Sequence, residues 1–197
     1  MKMPSLRILQ RFGRFTRDRR GVSAVEFALV APLLITLYLG CVEISDGVSA
    51  DRKVSLTAAA LANLSAQVTT ISSGDMTNIL DASSAIIAPY SDGNLAIVIS
   101  CLSIDANKIA KVKWSATRNG TARAVGSTYT FPSSPTDDET ALDVANTQLV
   151  LAEVSYAYTP IFGYTITGTL TLSDHMYMSP RISPPTYNDG STDYACT

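Results

Sequence analysis

Few residues of this chain are placed to do chemistry together. His175 is the only histidine, and a single imidazole supplies neither a multi-histidine metal site nor a base matched to a nucleophile. Between Asp174 and Met176, at an expected strand end, it reads as a surface or packed histidine. Asp137-Asp138-Glu139 offers carboxylates to a hard cation, but no EF-hand-like spacing surrounds it. Adjacent acids in a polar stretch read instead as a solvated face or a helix start. Neither a phosphate-binding glycine loop nor a nucleophile motif with partners is present in the sequence. We expect no catalytic residue, no metal ligand and no cofactor, and so no enzyme.

One carboxylate stands out by its surroundings. Val22 to Val42 is apolar or small except for Glu26, and no charge occurs from Phe27 to Val42. As a helix this stretch measures about 31 Å at roughly 1.5 Å per residue, one membrane span. An isolated carboxylate at the mouth of such a helix costs on the order of a few kcal/mol unless a partner neutralises it. The alternative is that Glu26 snorkels to the headgroups.

Charge is uneven along the chain. Residues 1–21 hold Lys2, Arg7, Arg11, Arg14, Arg17, Arg19 and Arg20 against Asp18, leaving the remainder strongly acidic. Cations just before an apolar helix mark its cytoplasmic flank more economically than a nucleic-acid site. Everything after about residue 44 then lies on the far side, where disulfides form. Cys41 falls in the span, and Cys101 with Cys196 is the natural pair, the alternative being two unpaired thiols. Such a bridge closes a loop of nearly a hundred residues, worth about 4 to 5 kcal/mol by loop-closure entropy.

Three processing signals compete for the N-terminal segment. Val48-Ser49-Ala50 before Asp51 suits ordinary signal cleavage, although Glu43 and Asp46 sit awkwardly there. Leu39-Gly40-Cys41 is superficially like a lipoprotein box, with Tyr38 where a leucine is usual. The third is RRGVSAVEFALVAPLL, in which basic residues meet Gly21, small or apolar residues follow, and Glu26-Phe27 precedes the apolar run.

This third pattern resembles the type IV prepilin junction, and RRGVSAVEFALVAPLLITLYLG as a whole resembles the TadE-like family of tight-adherence (Flp/Tad) pilus proteins. AEVSYAYTPIFG and MSPRIS are only loosely similar to downstream parts of such proteins. The resemblance implies that a prepilin peptidase cuts between Gly21 and Val22, leaving the helix on the mature chain with Glu26 as its fifth residue. The positive partner of Glu26 would then be an N-terminal amine, its own or a neighbour's. It further implies a minor pilin or pseudopilin in the bacterial inner membrane, with a cytoplasmic N-terminus and a periplasmic body. Implied partners are other pilin-like subunits, the pilus assembly platform and membrane lipid, and no nucleic acid; the role is fibre biogenesis and surface adhesion. The competing reading is a secreted or membrane-anchored binding module, cut after Ala50 by an ordinary signal peptidase.

The elements that position these residues follow from periodicity. Pro32 lacks an amide donor and would kink or loosen the span, or be tolerated there. Val54, Leu61, Leu64, Val68 and Ile71 step at helical spacing, so the span is expected to continue as one amphipathic rod. Ala58-Ala59-Ala60 favours close approach, within the chain or to another subunit. Asp75 is expected to cap a short second helix reaching Ile87, ended by Pro89 and Ser91-Asp92-Gly93. The period then becomes two: Leu95, Ile97, Ile99 and Cys101 share a face, and Val112, Trp114 and Ala116 another. Residues 117–146 read as a long polar surface loop. Val150 to Tyr158 and Tyr164 to Leu172 read as a hairpin, and Pro180 to Thr197 as a strap fixed only by the disulfide. The six tyrosines 156, 158, 164, 177, 187 and 194 suit core packing or an interaction surface.

The fold class expected is α+β, a long N-terminal membrane and amphipathic helix packed on a small antiparallel sheet, with a second short helix. The expected parts are a basic leader (1–21), a transmembrane helix (22–44), its periplasmic continuation (45–72) and an α+β body (73–197).

Overall fold

Alanine, leucine and other helix formers run from the junction far past the uncharged stretch, and they form one 45-residue helix, α1 (Val22–Ala66). The computed structural model describes residues 21–134, 137–160, 163 and 168–197. The helix passes Pro32 without a break, and Thr36 Oγ1 donates to the Pro32 carbonyl at 2.9 Å. Its two halves meet different surroundings. The first is bare, with Phe27 69% and Tyr38 67% exposed. The second buries Ala50, Val54, Ala58, Leu61, Ala62 and Ala66, the i, i+4, i+8 stripe of a helix facing a core.

After α1, a three-residue strand β1 (Thr70–Ser72) leads into α2 (Ser73–Ile87). Its N-cap is Ser72 rather than Asp75. Asp75 occupies the third helical position, where its amide donates to the Ser72 hydroxyl oxygen and its carboxylate accepts from the Ser72 amide. This reciprocal capping box satisfies two otherwise orphaned donors. Met76, Leu80, Ser83 and Ile87 form the buried face of α2.

The body is built on an antiparallel sheet. Its strands are β2 (Leu95–Ile104), β3 (Ala110–Arg118), β4 (Thr128–Tyr129), β7 (Thr147–Tyr158) and β8 (Leu170–Met178), in the order β4-β3-β2-β7-β8. Short strands β5 (Ser133–Ser134) and β6 (Asp137–Asp138) pair separately. The protein is therefore α+β, with α1 laid along the sheet.

Each face of the sheet carries a buried cluster. Ile97, Ile99, Cys101, Trp114, Ala116, Val150, Ala152, Val154, Tyr156 and Tyr158 pack with α1 and α2. On the other face Leu102, Ile104, Ala110, Val112, Leu149 and Leu151 lie with Tyr129 and Phe131. Val112 thus parts from Trp114 and Ala116, contrary to simple alternation. The cause is a bulge: Cys101 pairs with Trp114 but Leu102 with Val112, so Lys113 is passed over and the strand's facing reverses. Residues 117–146 are likewise more than a polar surface loop, since Tyr129 and Phe131 cap this second core.

The hairpin's second strand, as described, begins at Leu170 opposite Tyr158 and continues to Met178 opposite Val150. It runs past Ser173, Asp174 and His175, polar residues that an edge strand accommodates because one flank meets water. Tyr164 and Ile166 lie outside the described residues.

The C-terminal segment is held by more than its cysteine. Strand β9 (Thr186–Asn188) pairs in parallel with β1 and antiparallel with β10 (Asp193–Tyr194). Arg181 N–H donates to the Ala66 carbonyl at 2.9 Å, and Trp114 Nε1–H to the Pro185 carbonyl at 2.9 Å. Trp114 therefore spends its one polar group on fastening this strap.

Candidate functional site

At the start of α1, Gly21 is exposed, and a side chain added there would meet nothing within 4 Å. Val22, Glu26 and Phe27 are exposed as well. Residues 1–20, with the basic cluster, lie outside the described residues. Val22 and Glu26 are four apart on one helix, so they occupy the same face one turn from each other, about 5 to 6 Å between Cβ atoms. The partial positive charge of the helix N-terminus favours a carboxylate in this first turn.

Where the apolar run ends, the helix meets the body through a carboxylate. Asp46 Oδ1 accepts from the Tyr90 hydroxyl at 2.8 Å, and Asp46 Oδ2 accepts from the Tyr158 hydroxyl at 2.8 Å. Tyr90 also reaches the Asp46 carbonyl at 3.0 Å. Burial, reinforced by the hydrogen bond to Asp46, pushes the Tyr158 phenol up to about 12 and raises that of Tyr90. Both phenols therefore remain donors at neutral pH. The two rings lie 6.4 Å apart in an edge-on arrangement, and Tyr156 joins Tyr90 at 6.0 Å. One turn before this clasp Glu43 is buried, at 2% exposed, and two turns after it Lys53 Nζ donates to the Ile86 carbonyl at 3.1 Å.

The sequence marks Asp46 only as an awkward charge near a cleavage site and gives Tyr90 no role. The available signal was an Asp46-Gly47 step just beyond an apolar run, where a charge needs a reason. The tyrosines divide as follows: Tyr156 and Tyr158 are in the main core, Tyr187 and Tyr194 pack against its margin, and Tyr177 packs on the second core. Tyr164 falls outside the described residues.

The outer face of the sheet carries a cleft of about 490 Å³ that includes Arg123, Glu153, Ser173 and His175. Three of its polar groups, Arg123, Glu153 and His175, already have charged or titratable partners. Arg123 grips Glu153 with two hydrogen bonds of 2.7 and 2.6 Å, and His175 Nε2 lies 2.8 Å from Glu139 Oε1. Glu139 is accordingly a partner of the histidine rather than part of a solvated acidic face. No group of three metal-ligating side chains occurs among the described residues.

Cys101 and Cys196, both fully buried, are joined in a disulfide with Cα atoms 6.0 Å apart, spanning 95 residues. Cys41 is a free, exposed thiol on α1.

One helix among the described residues, Val22–Ala66, is long and apolar enough to cross a membrane. Residues 21–62, which begin at the junction and end inside the buried half of α1, match the family described as TadE-like protein. No curated protein and no solved structure matches the chain.

Proposed function

We propose that this chain, TadE-like over residues 21–62, is a minor pilin or pseudopilin of a tight-adherence pilus. The family match points to a pilus-associated structural component in general. The finer assignment rests on one arrangement: a glycine junction, a glutamate one turn into the helix, and a helix bare in its first half and packed in its second. That arrangement suits a subunit cut after Gly21, held in the inner membrane by its retained helix, and carrying a periplasmic body. The peptidase frees the Val22 amine, Glu26 binds it or the amine of a neighbouring subunit, and the uncharged helix face packs against other pilin-like helices and lipid. Packing and hydrogen bonding drive such association in lipid, where the hydrophobic effect between helices is lost.

The same geometry weighs against a signal cut after Ala50. Ala50 is fully buried in the middle of α1. A cut there would sever the helix inside the core and remove Glu43 and Asp46 from beneath Tyr158.

The proposal is tested by co-expression with a prepilin peptidase, followed by cell-surface fibre counts in a strain lacking the chain. The wild-type chain shortens and restores fibres. A Gly21→Leu variant that still shortens, or fibres that form equally well without the chain, would refute it.

A further inference from the structure

We infer that the cleft on the outer face of the sheet is a binding site for a neutral saccharide. The inference goes beyond the pilus reading and needs only the body, not the membrane span.

The outer face is filled at one end and open at the other. At the filled end Leu102, Leu149 and Leu151 pack with Tyr129 and Phe131. Toward the open end the strand register sets two rows across β2, β7 and β8: Val98, Glu153 and His175, then Ala96, Ser155 and Ser173. Alanine and serine are too short to fill the space above them, and the cleft of about 490 Å³ stands over these rows. Small-molecule pockets fall at about 300 to 1,000 Å³, so a mono- or disaccharide fits the volume.

What this cleft offers is hydrogen-bonding capacity with its charges paired. Arg123 donates to Glu153 through Nε and Nη2, at 2.7 and 2.6 Å. Its Nη1–H groups are left over, and each Glu153 oxygen keeps a further lone pair. The Arg123 guanidinium lies 4.9 Å from the centre of the Tyr129 ring, a contact that holds its plane. His175 uses Nε2 on Glu139, which leaves Nδ1 for a ligand. Facing residues of an antiparallel pair have Cβ atoms about 4.5 to 5.5 Å apart, so Ser155 and Ser173 place two hydroxyls side by side. Asp174 also borders the cleft. Its Oδ1 accepts from the His175 N–H at 2.8 Å, and its register partner Val154 belongs to the opposite face, in the main core.

These pairings select the ligand. The positive charge of Arg123 is compensated by Glu153, which disfavours an anion, and Glu153 and Glu139 already have nitrogen partners, which disfavours a cation. A hydroxyl both donates and accepts, so neighbouring hydroxyls of a sugar match the Arg123 donors, the Glu153 lone pairs and the serine hydroxyls. Ala96 and Val98 supply an apolar floor for the C–H face of a sugar ring.

The test uses the untagged full chain in a zwitterionic detergent, titrated separately with glucose, galactose, N-acetylglucosamine, glucuronate and trilysine. His175 is the only histidine, so its ring gives one assignable NMR signal at the cleft. At least one of the neutral sugars shifts that signal saturably, and Ser155→Leu, which fills the floor, weakens the binding about tenfold or more. No saturable shift with any neutral sugar, tighter binding of glucuronate or trilysine, or unchanged affinity in Ser155→Leu overturns the inference. Ala96→Leu repeats the measurement should Ser155→Leu fail to form the Cys101–Cys196 bridge. Neither leader cleavage nor fibre formation enters this readout, so the pilus proposal stands or falls separately.

Discussion

Replacing Asp46 with Ala removes the acceptor for two tyrosine hydroxyls at once, which makes the clasp between helix and body open to measurement. Hydrogen bonds to a charged group contribute about 1.5 to 3 kcal/mol each. Tyr158 is buried and leaves its hydroxyl without its partner, whereas Tyr90 is half-buried and water replaces part of its bond. The expected loss is therefore about 2 to 4 kcal/mol, nearer the Tyr158 contribution than twice it. Urea unfolding in detergent, followed by the fluorescence of Trp114, reads this directly, because Trp114 is the only tryptophan and is fully buried. Tyr158→Phe in the Asp46→Ala background should cost far less than in the wild-type chain, since the two groups form one interaction. Additive losses, or an Asp46→Ala variant as stable as wild type, would refute the clasp.

Alkali, the disulfide and the Gly21-Val22 junction can each be probed as well. Because the Tyr158 phenol is raised to about 12 from an ordinary value near 10, its contribution to stability is fully present below about pH 10. It is lost as pH rises toward 12; a pH series of urea midpoints shows the fall, and Tyr158→Phe flattens it. Opening the 95-residue loop with Cys101→Ser and Cys196→Ser together lowers stability by about 4 to 5 kcal/mol by loop-closure entropy, read from the same urea curves. Glu26→Gln still allows cleavage but lowers fibre yield, counted by electron microscopy, and normal yield would remove the amine-pairing role.

Much of the helical part was legible because its signals are local. An uncharged run, a glycine and a glutamate five residues on need no tertiary knowledge, and the alternation in β2 and β7 is equally direct. What escaped depends on contacts between distant residues. The clasp joins Asp46 to residues 44 and 112 positions away, a separation that no periodicity encodes. The facing of Val112 depends on a bulge that skips Lys113, and one skipped residue reverses every side chain beyond it. The strap is held by β1, whose three residues carry too little pattern to be read as a strand. Asp75 alone suits an N-cap, but Ser72 three residues earlier completes a reciprocal pair that no lone cap matches.

The central claim is that the chain keeps its helix and loses only its leader. Intact mass with N-terminal sequencing of the protein extracted from membranes tests it most directly. The expected mature chain begins at Val22 and is lighter than the 21.0 kDa precursor by residues 1–21. A mature chain beginning at Asp51, or one retaining Met1, would contradict it.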